Sequence, residues 1–183
     1  MDALYQAIDQ DSEITFHYLD YQIGGGRIPR KKEYRASPYG LCWDSENYYL
    51  IAHTADRGKT HYRVDRMASI QLTGTPRLCP EQYKDLNMAE YSRQVFGMFG
   101  GRETMVRLLF PMELINNAVD RFGSGAMLVP QGSHLFTLSA EVAVSPVFFS
   151  WVFSFGGRVK ILGPEPVQEE YRAMCRRALD DHL

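Results

Sequence analysis

From Glu13 onward the apolar residues recur with a period of two. Ile14, Phe16 and Tyr18 alternate with Thr15, His17 and Leu19, the pattern of a strand that ends near Tyr21. Further strand-like runs follow over Tyr34–Trp43, Tyr48–Thr54, Thr60–Val64 and Ser69–Thr73. Turn-forming breaks at Asp44-Ser45-Glu46-Asn47 and Asp56-Arg57-Gly58 separate them. Ahead of the first strand, Ala3, Leu4, Ala7 and Ile8 have the spacing of a short helix over Asp2–Asp9 with one buried face. Gly24, Gly25 and Gly26 mark a flexible loop after it. Closely spaced short strands behind one short helix leave few architectures open, and the expectation is a small curled sheet or partly open β-barrel of the SH3 or Sm type.

The alternation is lost between Thr75 and Glu103, where Pro76 and Pro80 stand at one end and Gly97, Gly100 and Gly101 at the other, around a polar, helix-compatible stretch. This divides the chain into a first domain over 1–76, a linker over 77–104 and a second domain over 105–183. In the second domain Met105–Phe110 reads as a strand. Pro111 then opens a helix carrying Leu114, Ile115, Ala118, Val119 and Phe122, closed by Gly123. Ala126–Val129 and Leu135–Val144 read as a hairpin around Gln131 and Gly132. Pro146–Phe155 is an apolar helix before Gly156 and Gly157, Arg158–Leu162 a last strand, and Pro166–His182 an amphipathic helix with Val167, Tyr171, Met174, Cys175 and Leu179 inward. Strand, helix, strand, strand, helix, strand is the order of the split βαβ, ferredoxin-like arrangement, here with an extra C-terminal helix. The predicted class is α+β.

Composition narrows the function. At 183 residues, 45% hydrophobic and 23% charged, the chain can bury a core without disulfides or metals. A net charge of -2 supplies no overall attraction to nucleic acid or an anionic membrane, so any such contact needs a local patch. Cys42, Cys79 and Cys175 lack the paired spacing of a zinc site or a disulfide framework and read as reduced thiols. The longest apolar window, Val147–Phe155, is far below the roughly 20 residues of a membrane span, and no basic stretch leads into an apolar run at the N-terminus. A cytoplasmic location is the expectation.

The local patch lies between Arg27 and Arg66, which holds nine Lys or Arg against five acids. In strict alternation Tyr49, Ile51 and His53 share one face, and Arg63 lies on the next strand. A guanidinium fork can grip a phosphate through two charge-assisted bonds of about 1.5–3 kcal/mol each, and tyrosine or histidine can stack on a base or donate to an oxygen. The candidate ligand-binding residues are therefore Arg63, Arg66, Tyr49 and His53, with Arg35 beside them. Alternation puts Arg63 and Arg66 on opposite faces unless the strand ends or bulges at Asp65. The bland reading pairs these arginines with Asp65, Asp20 or Glu46 as structural ion pairs. Tyr48 and Leu50 read as core, and Arg30-Lys31-Lys32 as a solvated hairpin after the glycine loop.

No enzyme motif is present in the sequence. His17, His53, His61, His134 and His182 show no metal spacing, no serine sits in a Gly-x-Ser-x-Gly elbow, and Gly24–Gly26 lacks the context of a phosphate loop. Neither a catalytic residue nor a metal or cofactor is expected. Phe148, Phe149, Trp151, Phe153 and Phe155 read as core, the alternative being that part of the cluster faces a partner subunit.

Asn47-Tyr48-Tyr49-Leu50-Ile51-Ala52-His53 and Tyr62-Arg63-Val64-Asp65-Arg66-Met67 together resemble the paired signature of WYL domains, with Tyr48 standing where the family name has Trp. The Phe16 and Tyr18 strand, Arg35 and Pro38 also fit. The resemblance covers Leu4 to about Gly74, and Met105–Leu179 resembles the C-terminal extension that commonly follows a WYL domain. It implies a bacterial transcription regulator in which an N-terminal winged helix-turn-helix binds DNA and the WYL domain senses a ligand, a nucleotide or single-stranded nucleic acid. It also implies a homodimer. The sequence begins at the WYL helix, so contact with DNA is expected only through a helix-turn-helix absent from it, the chain being part of a longer regulator rather than a stand-alone sensor. The rival expectation is a ligand-free dimerisation or architectural module of the same regulator.

Overall fold

Helix α1 (Asp2–Asp9) buries Leu4 and Ala7 against the first sheet and leaves its polar face to solvent. The computed structural model describes residues 1–180, and the chain divides into two units, Met1–Ala89 and Glu90–Leu183. The boundary falls inside the stretch read as a linker, which carries short 3-10 turns at Pro80–Tyr83 and Phe96–Met98 and helix α2 (Met88–Gln94).

In the first unit, β1 (Ser12–Tyr21), β2 (Arg27–Asp44), β3 (Asn47–Thr54), β4 (Gly58–Arg63) and β5 (Met67–Pro76) form one sheet in the order β4-β3-β2-β1-β5, with antiparallel neighbours. Among the described residues the outer strands β4 and β5 do not pair, so the sheet is open and does not close into a barrel. The geometry turns on β2. Its first part pairs with β1 and its second with β3, and the register slips between Pro38 and Gly40. Proline has no N–H to give to a ladder, so a slip at Pro38 is where the strand can bend without orphaning a donor. The inner face gathers Ile14, Phe16, Tyr34, Ala36, Leu50 and Tyr62 into the core, with the Phe16 ring stacked 5.5 Å from Tyr34 and edge-on 4.9 Å from Tyr62.

β2 starts at Arg27, well before Tyr34, where alternation becomes visible. Every residue from Arg27 to Glu33 is exposed, so this arm of the hairpin projects past the core and carries no apolar period to read. Tyr48 departs from its core reading for a related reason. It pairs with Trp43 at the outer end of the β2–β3 hairpin, both rings about half exposed and edge-on at 4.7 Å.

In the second unit, β6 (Arg102–Pro111) leads through a 3-10 turn into α3 (Ile115–Phe122), then β7 (Leu128–Gln131), β8 (Leu135–Val144), α4 (Pro146–Phe153), β9 (Lys160–Gly163) and α5 (Glu165–Asp180). The expected element order is present, and the sheet runs β7-β8-β6-β9 with antiparallel neighbours. Val106, Leu108 and Phe110 of β6 meet Phe136, Leu138 and Val142 of β8 on the buried face, covered by Phe148, Phe149 and Val152 of α4. Phe153 is exposed, so the aromatic helix is only partly core. The expected run of the last helix to His182 lies outside the described residues. Among those residues no helix is long and apolar enough to cross a membrane.

Candidate anion-binding site

The arginines converge where β4 ends. Strand β4 stops at Arg63, and Val64–Arg66 is a 3-10 turn, so the backbone rotates at Asp65 and Arg66 is released from strict alternation. Arg63 sits directly opposite Tyr49 across the β3–β4 ladder. Its Nε and Nη2 donate to the two carboxylate oxygens of Asp65, each at 3.0 Å, and Nη2 also donates to Asn47 Oδ1 at 2.6 Å. The Tyr18 hydroxyl accepts the Arg63 backbone N–H at 3.2 Å.

The projecting β1–β2 hairpin brings two further arginines. Arg30 holds Asp20 through two bonds of 2.8 Å and donates to the Tyr34 hydroxyl at 3.0 Å, its guanidinium 5.2 Å from the Tyr18 ring centre. Arg27 donates to the Asp65 carbonyl at 2.5 Å. Arg27 and Arg66 both lie over the half-exposed Tyr21 ring, at 4.9 and 5.4 Å, where cation–π attraction holds them. Among the described residues Arg66 Nε is buried with no hydrogen-bond partner.

Four guanidiniums here face the carboxylates of Asp20 and Asp65, with Asp44 also acting on Tyr49, which leaves an excess of positive charge that the net charge of the chain conceals. The hydrogen bonds from Arg63 hold the Asp65 carboxyl below the usual carboxylate range, and Arg30 does the same to Asp20. Burial raises the Tyr49 hydroxyl against the opposing pull of Arg63, so Tyr49 stays neutral and can donate to an oxyanion. Tyr62, deeper in the same unit, is pushed up to about 12 by burial.

Of the expected site residues, Arg63, Arg66 and Tyr49 come together. Arg35 and His53 do not join them. Arg35 bonds Glu13 at 2.6–2.7 Å and Thr75 at 3.1 Å, and Glu13, nearly fully buried, is also held by Ser37 at 3.2 Å. The Nδ1 of His53 lies 3.1 Å from the hydroxyl of Tyr83, which stacks on Tyr39 at 3.8 Å beside a cleft of about 530 Å³. Arg27, counted above only within the basic stretch, Arg30, expected as part of a solvated hairpin, and Tyr18, Tyr21 and Asn47 also belong to this cluster. The available signal was pairing across the glycine loop, since a hairpin closing there sets Tyr21 opposite Arg27 and Asp20 opposite Ile28, one diagonal step from Arg30.

Residues 1–72 match the WYL domain family and residues 104–179 the WCX domain family. No curated protein matches the sequence. Among solved structures, the chain is similar to proteasome accessory factor B/C (PafBC) of Arthrobacter aurescens, with 20% identity and a TM-score of 0.40 over 98% of this chain and 26% of that one. It is also similar to a CRISPR Cas-related protein, with 14% identity and a TM-score of 0.49 over 99% of this chain and 50% of that one. The chain thus spans about a quarter of the first and half of the second.

Proposed function

Since residues 1–72 are a WYL domain and residues 104–179 a WCX domain, we propose that this chain is the non-catalytic, ligand-sensing part of a cytoplasmic bacterial transcriptional regulator. Its ligand is anionic, a nucleotide or a short single-stranded nucleic acid, and it binds at the Arg63, Arg66, Arg27 and Arg30 cluster. The event passes to a DNA-binding helix-turn-helix domain outside this sequence. The observation that carries the reading is the convergence of four guanidiniums on one strand end, beside the Tyr49, Tyr18 and Tyr21 rings. Arginine forks recognise phosphate oxygens and tyrosine faces accept bases, and both are present in one place. Such a ligand switches the regulator only through differential affinity for two states, and a tenfold preference shifts their balance by about 1.4 kcal/mol.

Fluorescence anisotropy of short labelled single-stranded DNA and RNA tests the reading, with wild type and Arg63→Ala compared across a salt series. Binding by wild type should weaken with salt at a slope of about 0.7 per phosphate neutralised, and Arg63→Ala should abolish it while remaining folded. Absence of binding to oligonucleotide and to free nucleotide by wild type would sink it.

A second reading is supported by the ion pairs themselves. Arg63, Arg30 and Arg35 each already hold a carboxylate, as they would in a purely architectural module. In that case Arg63→Ala lowers the melting temperature and there is no binding to lose. Homodimerisation fits either reading. Phe153 and Leu179, exposed at 60% and 65%, line an apolar groove of about 490 Å³ on the second unit, a surface suited to a second copy.

A further inference from the structure

Asp65 fills the Arg63 fork in the way a ligand phosphate would. Two parallel bonds of 3.0 Å run from Nε and Nη2 to the two carboxylate oxygens, the bidentate geometry that guanidinium offers to carboxylate and phosphate alike. Yet the Arg63–Asp65 pair is local in the chain. Asp65 lies two residues from Arg63 on the adjoining 3-10 turn, and the Arg27 bond to the Asp65 carbonyl still ties that turn to β2 when the pair breaks. The Arg35–Glu13 pair differs, because Glu13 is almost fully buried and bridges β1 to β2.

Three features let Asp65 leave. Its side chain is 36% exposed, so water can take it at small cost. Arg27 Nη1 stands 4.0 Å from Asp65 Oδ2 and already holds the Asp65 carbonyl, so the displaced carboxylate keeps a cation beside it. Arg63 stays aimed because Asn47 Oδ1 grips Nη2 at 2.6 Å independently of Asp65.

We propose that Asp65 is an internal stand-in for a ligand phosphate, held in the Arg63 fork of the free protein and displaced when a phosphate ester binds, so that it sets the affinity and the selectivity of the site. The inference rests on the proposed anion-sensing function. A simple carboxylate ligand gains little by replacing one carboxylate with another. A phosphate ester bound by Arg63 and the neighbouring arginines gains more, and the site thereby discriminates against the abundant carboxylates of a cell.

The test compares wild type, Asp65→Asn and Glu113→Gln for binding of labelled single-stranded DNA and of free nucleotide across a salt series, with circular dichroism to confirm folding. Glu113, paired with Arg158 in the second unit, supplies the same change of net charge away from the site. Asp65→Asn should bind about three- to tenfold tighter, with a salt slope steeper by up to about 0.7, and Glu113→Gln should match wild type. Tighter binding of oligonucleotide alone identifies nucleic acid as the source of the phosphate; tighter binding of both ligands identifies the phosphate ester as such. Weaker or unchanged binding by Asp65→Asn overturns the inference, as does equal tightening by Glu113→Gln, which would report bulk charge. If wild type binds, Arg63→Ala does not and Asp65→Asn is weaker, only this inference fails. If none of the proteins binds either ligand, the anion-sensing reading fails with it.

Discussion

Arg35 and Arg63 are both strand arginines facing a carboxylate, and their partners separate their roles. Glu13 is nearly fully buried with Arg35 and Ser37 as its partners, so Arg35→Ala strands a carboxylate in the interior. Breaking such a pair costs about 3–5 kcal/mol when both partners are buried, and about 2 kcal/mol is expected here because the Arg35 side chain is more than half exposed. Arg35→Ala should therefore lower stability in urea titrations and leave the salt slope of ligand binding unchanged. An altered slope would return Arg35 to the site. The residue types of the site were legible in the sequence, since nine cations in one stretch signal an anion patch. Which arginine serves the ligand and which serves the fold was not, because that is decided by the burial of the acid opposite, as Glu13 and Asp65 show.

At the scale of elements, apolar period was a good guide wherever a strand has one buried face. β6 alternates Val106, Leu108 and Phe110 inward, and its period is legible over Met105–Phe110 but not over its first residues from Arg102. The first arm of β2 was invisible because it is exposed throughout and owes its strand form to pairing with β1. Helix α4 shows how ends are set by single groups. Ser145 is buried and its Oγ accepts the Phe148 N–H at 3.2 Å, capping a helix that Pro146 begins. Ser145→Ala should cost about 1 kcal/mol, read as a lower urea midpoint for the second unit. Gly101 is more restrictive still. A Cβ there would collide with the Val144 carbonyl at the start of the β6–β8 ladder, and backbone cannot swing aside as a side chain can. Gly101→Ala should destabilise the same unit by about 3 kcal/mol, and a loss no larger than that of Ser145→Ala would contradict this account.

At the scale of the whole molecule, two separate cores predict two cooperative units. The aromatic cluster around Phe16 belongs to one, and the Phe110, Phe136 and Phe148 cluster to the other. Calorimetry should resolve unfolding that is not two-state, and Ser145→Ala should move one transition and leave the other in place. A single transition shifted as a whole would show that the chain melts as one unit. The sequence by itself determined the α+β class, the element order and the cation-rich stretch, because period, turn residues and charge are local properties of the chain. Tertiary structure decided that the first sheet stays open, that the division falls at Ala89, and that Arg27 and Arg30 join Arg63 and Arg66. These depend on which strands pair and how their ends turn, and hydrogen-bond register across residues distant in the chain is not written in any single segment.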